Sequence, residues 1–157
     1  MKSNVLMKNY LSQINTVDIQ VNIYELIKDI IPDIIEWDDC ILIKNIDNMN
    51  LPDQFTPNNF IRNKSEYENT HNHFHLEDYL DEGISPLELI TIAAKLISVL
   101  ESTLKEKFPH KIFFILVSFN EEDLDCTIRF HSVREEEKND LDEDLESYSE
   151  ALLVSII

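Results

Sequence analysis

The chain has 157 residues, 43% hydrophobic and 28% charged, a composition that suits one domain over residues 1–157 with a real core and excludes a disordered chain. Thirteen Lys and Arg stand against 31 Asp and Glu, a formal net charge of −18. A field of that sign repels nucleic acid and anionic lipid, attracts basic partners, and equally serves solubility. The one glycine, Gly83, excludes phosphate-cradling loops, which need several.

The first eighteen residues have no compact apolar run of the kind a signal peptide needs, and a helix is expected over about residues 3–14. No apolar run approaches the ~20 residues that span a bilayer, so no membrane partner and a cytoplasmic location are expected. Residues 16–23, "TVDIQVNI", alternate like a strand. Val17, Val21, Tyr24, Ile27 and Ile31 also form a helical stripe, which predicts a helix over about 21–30, ending near Pro32. "DCILIKNI", 39–46, reads as a strand, and 47–70 as a long loop with at most a short helical turn.

Residues 85–109 carry the clearest signals. Ser85 is placed as N-cap, Pro86 at the first helical position, and Glu88 to complete a capping box. Leu89, Ala93, Leu96, Leu100 and Leu104 form an apolar face broad enough to demand burial against a sheet. The apolar run 111–119, a turn at 120–123 and the strand 124–133 read as a β-hairpin, with Cys126, Ile128 and Phe130 on one side and Thr127, Arg129, His131 and Val133 on the other. An acidic stretch, 134–150, leads to an apolar strand over 151–157. The expected fold class is α+β: a mostly antiparallel sheet with a C-terminal hairpin and final strand, packed against a long central helix and N-terminal helices.

Three histidines alternate in "NTHNHFHLED". If that stretch is extended, His71, His73 and His75 share a face, and with Glu77 they make an alternative metal site. A straight strand spreads the outer two by about 13 Å, too far for one ion, so a polar segment anchored by Phe74 is the preferred reading, with no metal and no cofactor. The carboxylates miss the EF-hand pattern, and no nucleophile motif is present. Cys126 and His131 fall on opposite strand faces. Cys40 and Cys126 read as small buried hydrophobes without a disulfide, and Arg129 and His131 as partners for nearby carboxylates.

The segments "HNHFHLEDYL" and "ILVSFNEEDLDCTIRFHSVREEE…LDEDLESYSEALLVSII" resemble small acidic proteins of low-GC Gram-positive bacteria. They are similar to immunity proteins encoded beside polymorphic or contact-dependent toxins. The resemblance covers about residues 70–157 and carries no catalytic motif. It implies a non-enzymatic protein that binds and neutralises one cognate toxin, a nuclease or another cationic domain. Glu135, Glu136, Glu137, Asp142 and Asp144 would then face the toxin, with Trp37, Tyr79 and Tyr148 as aromatic anchors. The alternatives are a metal-dependent enzyme or sensor built on the histidines, and an acidic adaptor for a basic protein.

Overall fold

The computed structural model describes residues 1–45, 50–137 and 144–157. Its strands are β1 Lys2–Ser3, β2 Ile34–Trp37, β3 Cys40–Ile43, β4 His73–His75, β5 Phe113–Asn120, β6 Asp125–Ser132 and β7 Ala151–Ile156. Its α-helices are α1 Val5–Leu11, α2 Ile23–Ile30, α3 Lys64–His71 and α4 Pro86–Lys107. The main sheet runs β1-β7-β5-β6-β4, and β2 and β3 form a separate hairpin. Every described pairing is antiparallel, so the fold is α+β with the expected C-terminal hairpin, final strand and long helix.

The core lies between one sheet face and the helices. Phe113, Ile115, Val117 and Phe119 of β5 alternate inward with Cys126, Ile128 and Phe130 of β6. They meet Leu89, Ala93, Leu96, Leu100 and Leu104 of α4, with α1 and α2 packed beside that helix. Phe74 and Leu76 complete this layer.

The cap of α4 is as expected. Ser85 Oγ accepts the Glu88 N–H at 3.3 Å, and Glu88 Oε2 accepts the Ser85 N–H at 2.9 Å. Ser85→Ala is expected to lower stability by about 0.5–2 kcal/mol in urea denaturation. The Ser85 hydrogen bonds hold the Glu88 carboxyl below its ordinary range. Its share of the cap is therefore present above the ordinary glutamate range and lost as pH falls through the depressed value.

The N-terminus is stitched to the last strand by a buried side chain. Asn4 caps α1 by accepting the Met7 N–H at 3.1 Å, and the same oxygen accepts the Leu152 N–H at 3.0 Å. Its amide donates to the Glu150 carbonyl at 2.7 Å.

Three local features depart from the sequence expectations. The helix over 3–14 is shorter, α1 followed by a 3-10 turn at Ile14–Thr16. The chain before β3 forms a strand too, joined through Asp38 and Asp39, with φ values of 45° and 66°. Two positive-φ residues make the tight hairpin turn usually written with glycine, which is why its signal is faint in "EWDDC". Lys64 and Lys111 bond to this turn, and the backbone carbonyl of Asp39 accepts from Arg134 at 2.7 Å.

The third departure is α3. Residues 64–71 are helical, with Asn63 Oδ1 accepting the Glu66 N–H at 2.8 Å as N-cap. Two buried polar side chains fix this helix between two strand edges. Asn72, just past its end, accepts the Ile43 N–H at 2.8 Å and donates to the carbonyls of Ile41 at 2.7 Å and Phe130 at 3.2 Å. Glu68, fully buried, accepts the N–H groups of Ile41 and Ser132, both at 2.6 Å. These side chains satisfy backbone groups of β3 and β6 that would otherwise need a neighbouring strand.

Candidate functional site

The helical α3 breaks the histidine row. His71 ends the helix, with Nδ1 2.9 Å from the Tyr67 carbonyl and its ring 4.0 Å from the Tyr67 ring. Only His73 and His75 lie on a strand, opposite Arg129 and Thr127 of β6. The three-histidine face that a fully extended segment would give does not form, because Asn63, Glu68 and Asn72 favour a helix over the first part of the segment.

His75 meets a different partner set. Its Nδ1 lies 3.5 Å from Glu77 Oε1 and 3.3 Å from Asp125 Oδ1. Donor atoms of the three residues lie within 4.8 Å of one another. Each carboxylate is also in use: Glu77 Oε2 accepts the Cys126 N–H at 2.9 Å, and Asp125 Oδ1 accepts the Thr127 hydroxyl at 2.8 Å. Asp125 is not foreseen from the sequence because it arrives across the ladder from β6, fifty positions along the chain. Its one signal is the alternation Asp125, Thr127, Arg129 on the non-core side of the strand.

Helix α3 reaches the β6 side of that non-core face, where Glu66, Asn69 and Thr70 line depressions with Arg129. Register places His73, Arg129, Leu116 and Val154 in one cross-strand row, and His75, Thr127, Ser118 and Leu152 in the next. The segment bearing Leu145, Tyr148 and Glu150 borders a half-open cavity of about 290 Å³ whose other walls include Asn69, Phe114, Ser118 and Arg129. Two further depressions adjoin Arg129, one holding the 93% exposed Phe60 and the other Asp123, Asp125 and Glu150.

The expected pairing of Arg129 and His131 with carboxylates is absent among the described residues. His131 is buried and stacks on Phe114 at 5.2 Å between ring centroids. Arg129 makes no ion pair with them, and its Nε is buried without a partner there. Arg129 shares its cross-strand row with His73, Leu116 and Val154, and His131 shares its row with Phe114 and Ile156.

Arg62 pairs with Glu66 at the surface, and the arginine that pairs in the interior is Arg134. It is 9% exposed and bonds Glu68 through both terminal nitrogens, at 3.1 and 3.0 Å. Burial acts to lower its pKa, but hydrogen bonds and the charges of Glu68, Glu137 and Asp39 outweigh burial and raise it. Nothing in "HSVREEE" distinguishes this buried cation from its exposed neighbours.

The expected toxin-facing residues divide. Glu135, Glu136 and Asp144 are exposed, and Asp142 lies outside the described residues. Glu137 is committed to the start of α3, accepting the N–H groups of Lys64 at 3.2 Å and Ser65 at 3.0 Å. Trp37 is half-buried, donating to the Pro52 carbonyl at 2.7 Å and packing on Tyr67. Tyr79 and Tyr148 are exposed.

A second acidic group gathers at the opposite end of β6. The turn residues Glu121, Glu122 and Asp123 are exposed beside Asp125 and Glu150. Burial, and then the bond to Glu121 at 2.6 Å, raise the Tyr10 phenol to about 12. The two cysteines are free and buried; burial pushes the Cys40 thiol up to about 12 and raises Cys126 as well, which makes neither a ready nucleophile.

No helix among the described residues is long and apolar enough to cross a membrane. No curated protein and no solved structure matches the chain. A family model matches residues 2–156, and the chain therefore belongs to the Uncharacterized protein PM0498 family.

Proposed function

We propose that this is a non-enzymatic, cytoplasmic immunity protein that binds and neutralises a cationic toxin domain. The observation that carries the reading is electrostatic. A net charge of −18 is displayed in part as two exposed acidic groups, Glu121, Glu122 and Asp123 at one end of β6 and Glu135 and Glu136 at the other. Several of the cations are already occupied: Arg62, Lys64, Lys107, Lys111 and Arg134 all form ion pairs. The surface field is therefore suited to a basic protein, and complementary fields accelerate encounter. Exposed aromatic side chains, Tyr79 and Tyr148, offer anchors for specificity.

Co-expression with a toxin domain encoded beside the gene tests the reading. The expected result is rescue of growth and a stable complex whose association rate rises as salt falls. A neighbouring toxin that is neither bound nor neutralised would refute it.

The cluster of His75, Glu77 and Asp125 supports a metal-dependent alternative. Because both carboxylates already accept hydrogen bonds, the purified protein is expected to hold no stoichiometric zinc, copper, nickel or manganese by elemental analysis. The triple change His71→Ala, His73→Ala, His75→Ala should leave protection largely intact. One tightly held metal per chain, lost with protection in that variant, would establish the alternative.

A further inference from the structure

We infer that the cavity between α1 and the ends of β5 and β7 is a docking pocket for one basic side chain, lysine or arginine, of a protein partner, with the hydrocarbon stem against its apolar wall and the charge at its acidic rim. This rests on the cationic partner proposed above and names where one of that partner's side chains is received.

The apolar wall comes from helix and strand together. Leu6 and Tyr10, one turn apart on α1, line the cavity with Phe119 of β5, at the level where Phe119 pairs with Ala151 of β7. Phe119 is buried and takes the Tyr10 ring edge-to-face, with centroids 5.3 Å apart. Leu6 is a large apolar side chain left 44% exposed beside them. An alkyl stem laid along this wall removes apolar surface from water.

The charge is of one sign. Glu121, Glu122 and Glu150 line the same cavity, and no lysine, arginine or histidine does. None of the three forms an ion pair among the described residues. The Tyr10 hydroxyl donates to Glu121 Oε2 at 2.6 Å, which brings that carboxylate to the aromatic wall. Carboxylates gathered without a cation repel one another, and one incoming positive charge relieves all three.

The two halves select the occupant together. An acidic rim alone attracts any cation, and an apolar wall alone accepts any alkyl group. A charge carried at the end of a hydrocarbon stem satisfies both, and that is the build of lysine and arginine. A volume of about 260 Å³ holds one such side chain and not a helix or a strand. Glu150 also borders the adjoining depression with Asp123 and Asp125, so the acidic surface continues past the cavity. That breadth suits a protein presenting several cations better than a single small amine.

The test titrates the full chain at low salt with four probes: acetyl-Gly-Lys-Gly-amide, acetyl-Gly-Arg-Gly-amide, acetyl-Gly-norleucine-Gly-amide and n-butylammonium, with methylammonium as the bare charge. The Tyr10 ring and the Glu121 and Glu122 amide resonances report binding. The lysine or the arginine peptide should shift them saturably, and the tighter of the two names the side chain received. The norleucine peptide, a stem without the charge, and methylammonium, a charge without the stem, should each bind at least about tenfold more weakly. Equal binding of methylammonium and the basic peptides would reduce the site to a diffuse acidic field and overturn the pocket. Tighter binding of n-butylammonium than of either peptide would overturn the protein partner. These comparisons use the unaltered protein, so they decide the matter even where a variant fails to fold. Ser149→Phe fills the cavity from an exposed lining position without changing the charge, and should abolish the saturable shift. In a complex with a neutralised toxin the same variant should weaken binding by about tenfold or more, chiefly through faster dissociation. A toxin held equally well by Ser149→Phe would overturn the pocket and leave the proposed function standing. Saturable peptide binding with no toxin bound would support the pocket and overturn the proposed function.

Discussion

Glu68→Ala is expected to destabilise the protein by about 3–5 kcal/mol, the range for breaking one side of a buried ion pair. The carboxylate is 0% exposed and has five donors within 3.1 Å: the N–H groups of Ile41 and Ser132, the Ser132 hydroxyl, and both terminal nitrogens of Arg134. Removing it strands a buried guanidinium and two strand-edge N–H groups at once. It also detaches α3 from β3 and β6, the two edges it joins. Urea denaturation at neutral pH measures the loss. Because the penalty comes chiefly from the uncompensated charge, the double variant Glu68→Met, Arg134→Met should recover part of it. A loss below about 1 kcal/mol for Glu68→Ala would mean that water replaces the carboxylate and that the network does not hold the hairpin to the main sheet.

Reversing the charge of Glu121, Glu122 and Asp123 together should slow association with the cationic partner by about 10–100-fold at low salt, with a smaller change in dissociation. These carboxylates are exposed on one tight turn, so their fields add; Glu121 also accepts the Tyr10 hydroxyl, so Glu121→Gln, which keeps an acceptor there, separates charge from stability. The same measurement on Glu135, Glu136, Asp142 and Asp144 compares the opposite end of β6. Glu137 is best left out of that set, because it accepts the N–H groups that start α3 and its reversal would confound binding with stability. Stopped-flow association across a salt series reads the effect. Rates insensitive to salt and to both sets would remove the electrostatic basis of the proposed function.

Much of the fold was legible in the residues because its causes are local. Ser85, Pro86 and Glu88 start α4 with groups at most three positions apart. The inward alternation of β5 and β6 needs only a period of two, and β7 announces itself as a short apolar run. The burial of Phe74, Leu76 and both cysteines follows from the same patterns.

What tertiary structure decided is what depends on partners remote in the chain. "KSEYENTH" is too polar to display a helical stripe, and it becomes α3 because Glu68 and Asn72 fill the gap between two strand edges. That choice dissolved the histidine row and gave His75 the partner Asp125, which only the β4–β6 register supplies. It likewise separated two arginines that look alike in sequence. Arg134 points between α3 and β6 and is neutralised by a buried glutamate, whereas Arg129, five positions earlier, lies on the non-core face in a row with His73, Leu116 and Val154. Composition fixed the sign and size of the charge. Where that charge is satisfied, and where one cation is left open, is set by contacts that no local pattern encodes.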